Sequence, residues 1–238
     1  MYHYDSRSGK RFYIDRDADH RTGCLFGLLQ EAITERGSGT LLSSLDVLFR
    51  RHYYDDLGKI AGLYTGMCEL CFDIDAMTVR DRGTSFLFEQ LLRAAPNLEL
   101  LAFAAGHISK SAIAISTLDL VSNIFDILTT CRLHAFSLQV VACTLESLQK
   151  LMKRHKQTLT RIKFVRVTLL GSWRDCLSWM RKKLDLTNFH IEQVRILDLN
   201  RMASRSSYTP RVLKLTTTSF KGKENTRIGL DGLLQILA

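Results

Sequence analysis

The chain has 238 residues, 46% of them hydrophobic and 24% charged, with only 2 prolines. These proportions are globular and exclude a disordered chain, a collagen-like chain or a proline-rich linker. The formal charge of +9 is spread unevenly: residues 1–149 carry 14 Lys/Arg against 18 Asp/Glu, and residues 150–238 carry 19 against 6.

Such asymmetry points to an anionic partner near the C-terminal half. The most apolar stretches, Ala135–Cys143 and Ile113–Val121, fall short of the ~18–20 residues a membrane span requires. Residues 1–11 show no apolar core of a signal peptide. The six cysteines are scattered through the chain, which fits a reducing compartment. The expectation is a cytoplasmic or nuclear protein.

In chain order, Arg11–Ile14 suggests a short strand, and Leu25–Thr34 and Leu41–Arg51 read as helices. The stretch Gly37-Ser38-Gly39 is the turn between them. Residues 1–60 are therefore expected to form a mostly helical N-terminal capping region.

From residue 61 to 199 one pattern recurs: an apolar residue, two variable, an apolar residue, one variable, an apolar residue. It runs through Met67, Leu70 and Phe72, then Leu98, Leu101 and Phe103, then Leu133, Phe136 and Leu138. It returns at Leu159, Ile162 and Phe164, and at Leu186, Phe189 and Ile191. The starts lie 31, 35, 26 and 27 residues apart, and Val141, Val167 and Val194 share one offset in the last three copies.

Amphipathic helical stretches lie between the copies. Thr84 can cap a helix holding Phe86, Leu91 and Leu92, which stops at Pro96. Val121, Ile124 and Leu128 sit at helical spacing. Thr144 can cap a helix with Leu145, Leu148 and Met152 on one face. Ser172, with Asp175 three residues on, makes a capping-box-like start to a stripe of Trp173, Cys176, Leu177, Met180 and Leu184. After a loop at residues 200–210, Arg211–Thr217 suggests an extra strand and Asp231–Leu237 a short helix, together an irregular C-terminal cap for residues 200–238.

About five strand–helix units of roughly 30 residues make an α/β solenoid the expected architecture, with a parallel sheet on one side and helices on the other. A doubly wound α/β domain is the competitor. Its strands, covered on both faces, read as near-continuous apolar runs. Here Arg161, Lys163, Asn188 and His190 alternate with the apolar positions, so one sheet face is expected to be open.

These residues resemble leucine-rich repeats, and Ala95-Pro96-Asn97-Leu98 looks like their helix-to-strand junction. The asparagine that often follows the strand is replaced by Ala76, His107, Ala142, Thr168 and Arg195, so the repeats are degenerate. The segment Thr158–Leu197 is similar to the leucine-rich-repeat-like region of uncharacterised fungal F-box-type proteins. The resemblance covers roughly residues 60–200. It implies an interaction scaffold, in some relatives the substrate-recognition part of a ubiquitin ligase. Residues 1–60 show no F-box-like helical start with its Leu-Pro entry, so docking onto an F-box-binding adaptor is not expected of this chain.

No catalytic residue, metal site or cofactor is expected from the sequence. Cys68-Glu-Leu-Cys71 lacks two further zinc ligands and lies inside an apparent strand, its two thiols on opposite faces. Asp15-Arg-Asp17-Ala-Asp19 opens like a calcium loop, but His20 and Phe26 stand where glycine and glutamate are needed. Ser147 and Lys150 have serine–lysine spacing without the companion boxes of that enzyme class. The seven histidines have no paired metal spacing; His134 and His190 read as edge or surface residues.

Strand alternation sends Arg161 and Lys163 to the open face. Earlier strands offer Glu69, Cys71 and Asp73, then Leu100 and Ala102, then Ala135 and Ser137. The face is thus expected to run from acidic through apolar to basic, which suits a protein or peptide partner. Its contact residues are expected to be Glu69, Asp73, Leu100, Arg161, Lys163, Asn188 and His190. The alternative is nucleic-acid binding through the basic residues 150–238. Lys150, Lys153, Arg154, Lys156, Arg174, Arg181, Lys182 and Lys183 would then line two helix flanks. It is the weaker reading, because Phe72, Phe103, Phe136, Phe164 and Phe189 take core positions and cannot stack on bases.

Overall fold

The computed structural model describes residues 2–4, 11–13, 44–49, 68–74, 89, 92–93, 95–105, 113–128, 131–197, 211–213 and 217–237. It is a mixed α/β structure with a mostly parallel sheet. The first strands are β1 (Tyr2–Tyr4), β2 (Arg11–Tyr13), β3 (Ser44–Phe49), β4 (Glu69–Ile74) and β5 (Leu100–Ala104). Helix α1 (Ile113–Ile127) follows, then β6 (Ala135–Gln139), β7 (Ala142–Thr144) and α2 (Leu145–Arg154). Next come β8 (Arg161–Val165), β9 (Thr168–Leu170), α3 (Trp173–Lys183), β10 (Asn188–Glu192) and β11 (Arg195–Leu197). The chain closes with β12 (Arg211–Val212), β13 (Thr218–Lys221) and α4 (Lys223–Ile236).

Nine strands form one sheet in the order β13-β10-β8-β6-β5-β4-β3-β1-β2. From β3 to β10 every pairing is parallel and the order never reverses. Antiparallel strands close both ends, β13 on β10 and β1 on β3. The short strands build a second sheet, β12-β11-β9-β7, parallel except for β12.

A hydrogen-bond fork repeats at the strand entries. The carbonyl of Cys68 accepts from the N–H groups of Glu99 and Leu100, and that of Glu99 from His134 and Ala135. His134 serves Thr160 and Arg161 in the same way, and Thr160 serves Thr187 and Asn188. Each acceptor directly follows the leading apolar residue of a copy, so the sequence spacing and the hydrogen-bond spacing coincide. Leu98, Leu133, Leu159 and Leu186 are buried beneath these forks.

A corner then turns each long strand into its short one. Val140, Arg166 and Gln193 adopt left-handed φ of 54°, 52° and 48°. Val141, Val167 and Val194 follow and are buried. The N–H of Val140 donates to Val165 and that of Arg166 to Glu192, each at 2.8 Å, so one corner is tied to the strand of the next.

The core lies between the helices and one face of the large sheet. Phe136, Phe164 and Phe189 meet edge to face, with centroids 6.5 and 6.2 Å apart. They zigzag across the strands because each ring stands directly opposite an aliphatic residue: Phe136 and Phe189 flank Ile162, and Leu138 and Ile191 flank Phe164. Aromatic and aliphatic side chains thereby alternate in both directions.

The helix starts follow from local chemistry. Thr144 caps α2 by accepting from Ser147 N–H at 3.0 Å, and Ser172 caps α3 by accepting from Asp175 N–H at 3.2 Å. Both caps and the buried stripes behind them agree with the sequence reading; Leu145 and Leu184 are half-buried at the margins. Gly229 faces the ring of Phe220 so closely that a Cβ would collide with it; the glycine lets α4 lie down on β13.

Two expectations change. Leu41–Arg51 is not a helix, because Ser44–Phe49 is strand β3, paired in parallel with β4. Leu45, Leu48 and Phe49 satisfy helical spacing, but Leu45, Val47 and Phe49 satisfy strand alternation equally, and the pairing decides. The C-terminal helix is longer than Asp231–Leu237, starting at Lys223, and strand β13 before it was not expected. The expected helix at Leu25–Thr34, the Thr84 cap and the loop at 200–210 lie outside the described residues.

Candidate functional site

The strand register arranges alternate positions of the large sheet in rows. One row runs Ser44, Glu69, Leu100, Ala135, Arg161, Asn188, Lys221. The next runs Asp46, Cys71, Ala102, Ser137, Lys163, His190, Ser219. A third runs Leu48, Asp73, Ala104, Gln139, Val165, Glu192. With strands about 4.8 Å apart, three strand spacings, roughly 14 Å, separate Glu69 from Arg161.

The register brings the seven expected contact residues onto these rows. Glu69, Arg161 and Lys163 are exposed, and Leu100, Asn188 and His190 are half-buried; Asp73 is placed by its backbone register alone. Between the acidic and basic ends the rows carry no charge: Leu100 and Ala135, Ala102 and Ser137, Ala104 and Gln139.

His190 Nε2 stands 3.6 Å from Glu192 Oε2, so the third row carries a carboxylate into the basic end. Sequence reasoning missed Lys221, which shares a row with Arg161. The signal for it was the alternation Ser219, Phe220, Lys221, with the aromatic on the core side.

The cations on the helix side are placed differently. Lys150 Nζ is 2.6 Å from Asp126, and Arg154 Nη1 donates to the Phe125 carbonyl at the end of α1 at 2.7 Å. Arg181 binds Asp231 through two hydrogen bonds of 2.9 and 3.0 Å, joining α3 to α4. These three cations thus serve helix packing and capping. Lys153, Lys156, Arg174, Lys182 and Lys183 are exposed.

The other chemical candidates take structural roles. Ser147 Oγ donates to the Thr144 carbonyl and belongs to the α2 cap, while Lys150 is held by Asp126. Cys68 precedes β4 and Cys71 lies within it. Burial, then Glu99 and Glu69, raise the Cys68 thiol above its ordinary value. Burial pushes Cys131 up to about 11 and Cys143 up to about 12, leaving both protonated and unreactive. His134 uses its backbone in the entry fork and its Nδ1 is buried without a partner. The acidic turn at Asp15–Asp19 and His107 lie outside the described residues.

Among the described residues no group of three His, Cys, Asp or Glu side chains could hold a metal, and no helix is long and apolar enough to cross a membrane. No family model matches the chain, and no curated protein or solved structure matches it either. The class defined by the fold is a mixed α/β protein with a mostly parallel sheet.

Proposed function

We propose that this chain is a non-enzymatic interaction scaffold, a short irregular leucine-rich-repeat-like solenoid that binds a protein or peptide on its outward sheet face. The observation that carries the reading is the row Glu69, Leu100, Ala135, Arg161, Asn188, Lys221, which sets charge of opposite sign at the two ends of an uncharged middle. The repeated carbonyl fork and the repeated left-handed corner support serial stacking of like units. The resemblance to F-box-type proteins suggests the setting, a substrate-recognition part of a ubiquitin-ligase-type assembly.

Nucleic-acid binding through residues 150–238 is the second reading and has less support. Phe103, Phe136, Phe164 and Phe189 are at most 2% exposed and offer no stacking platform.

A photo-crosslinking residue placed at Ala102, and separately at Lys182 on the helix side, tests the main reading in lysate of the native cell. Discrete protein adducts are expected at Ala102 and not at Lys182. Equal labelling at both positions, or none at Ala102, refutes a binding role for the face.

A further inference from the structure

We propose that the basic end of this face, formed by Arg161, Lys163 and Lys221, seats a carboxylate-rich segment of a polypeptide; this rests on the face being a binding surface. Arg161, Asn188 and Lys221 are register neighbours on β8, β10 and β13, and Lys163 lies two residues along β8. Strand geometry puts Arg161 and Lys163 about 7 Å apart and Arg161 and Lys221 about 10 Å apart. An extended peptide repeats its side chains on one side every ~7 Å, so alternate carboxylates match the first spacing.

Arg161, Lys163 and Lys221 are all exposed. Ion pairs are spent on Lys150, Arg154, Arg181 and Lys223 of the helix side, through Asp126, Asp231 and Asp185. Among the described residues the three sheet-side cations have no such pair, so a ligand carboxylate meets them without first displacing one of these.

Three features favour a peptide over a nucleic acid. Asn188, between two of the cations, offers a donor and an acceptor, which suits the alternating N–H and C=O of a peptide backbone. Phosphates offer acceptors only. Glu192, beside His190, and Glu69 at the far end disfavour the evenly spaced charge of a phosphate backbone, whereas a peptide can place its carboxylates at Arg161 and Lys163. The core-side aromatics are buried beneath the sheet.

Fluorescence anisotropy on the full chain tests this. The probes are a labelled 12-residue peptide rich in glutamate, its lysine-for-glutamate counterpart and a 12-nucleotide single strand. The acidic peptide is expected to bind and the lysine peptide not. R161E/K163E is expected to weaken binding about tenfold or more, and K182E/K183E on the helix side to leave it unchanged. If circular dichroism shows that R161E/K163E does not fold, R161Q/K163Q replaces it. No binding of the acidic peptide, equal loss in the helix-side variant, or tighter face-dependent binding of the nucleic acid overturns the proposal. If the Ala102 adducts form and persist in R161E/K163E, the face is a binding surface and only the acidic occupant is wrong.

Discussion

Phe164 and Trp173 meet edge to face, centroids 5.4 Å apart, and the Trp173 indole N–H donates to the Arg195 carbonyl at 2.8 Å. Strand β8, helix α3 and strand β11 are thereby tied through one fully buried side chain. Trp173→Phe keeps much of the ring contact and removes that hydrogen bond, at a cost of about 0.5–1.5 kcal/mol. Phe164→Ala opens a cavity against Phe136, Phe189 and Trp173 and costs about 3–5 kcal/mol. Urea unfolding of Phe164→Ala, Trp173→Ala and the double variant should show a coupling of about 0.5–1.5 kcal/mol. Additive losses would mean the two rings do not stabilise each other.

His155 is 4% exposed and its Nε2 lies 3.1 Å from the Leu128 carbonyl at the end of α1. That distance requires Nε2 to carry the proton and donate. Burial lowers its pKa below the usual 6.5, the hydrogen bond to Leu128 opposes this, and Arg154 adds to the lowering. The folded state therefore holds the neutral ring, and the unfolded chain takes up a proton first as pH falls. The resulting stability is present above pH ~6.5 and is lost as pH falls from there towards the lower folded value. The urea midpoint of the native chain is expected to drop between pH 7.5 and 5.5, and to drop less in His155→Gln, whose amide can still donate. An identical drop in both would locate the pH dependence elsewhere.

The units were legible in the sequence because one residue type served two demands. Leu98, Leu133 and Leu159 are buried, and each sets the next residue as the forked acceptor. Thr144 and Ser172 were legible because capping is local. Ser44–Phe49 was not, since its apolar residues fit both periods and only pairing with a strand 25 residues on selects one. Lys221 was missed for a similar reason: β13 is four residues long and is defined by an antiparallel partner 33 residues earlier in the chain. Charge sign on the face could be read from alternation, whereas the full width of its basic end needed long-range register.

The corners make a prediction of unusual sign. Arg166 is exposed and holds φ at 52°, where a side chain costs about 1–2 kcal/mol. Glycine removes that cost and adds back about 0.5–1 kcal/mol of chain entropy. Arg166→Gly is therefore expected to stabilise the fold by up to about 1 kcal/mol, read as a higher urea midpoint. Arg166→Val should lower it. A destabilised glycine variant would show that the arginine side chain contributes more than its backbone costs.

Thr117 closes the edge of the smaller sheet. Strand β7 is its last member, and the Ala142 N–H on it donates to Thr117 Oγ1 of α1 at 2.8 Å, with both residues 0% exposed. Without that hydroxyl a buried amide has no acceptor, so the edge is held by a side chain where a further strand would otherwise be needed. Thr117→Val keeps the shape and removes the acceptor, and should cost about 1–3 kcal/mol. Thr117→Ser keeps the acceptor and loses one methyl, about 1 kcal/mol. Amide exchange separates this from general loosening: Ala142 should exchange faster in the valine variant, while Leu169 in neighbouring β9 stays protected. Equal acceleration of both amides would mean that the threonine supports packing and not the sheet edge.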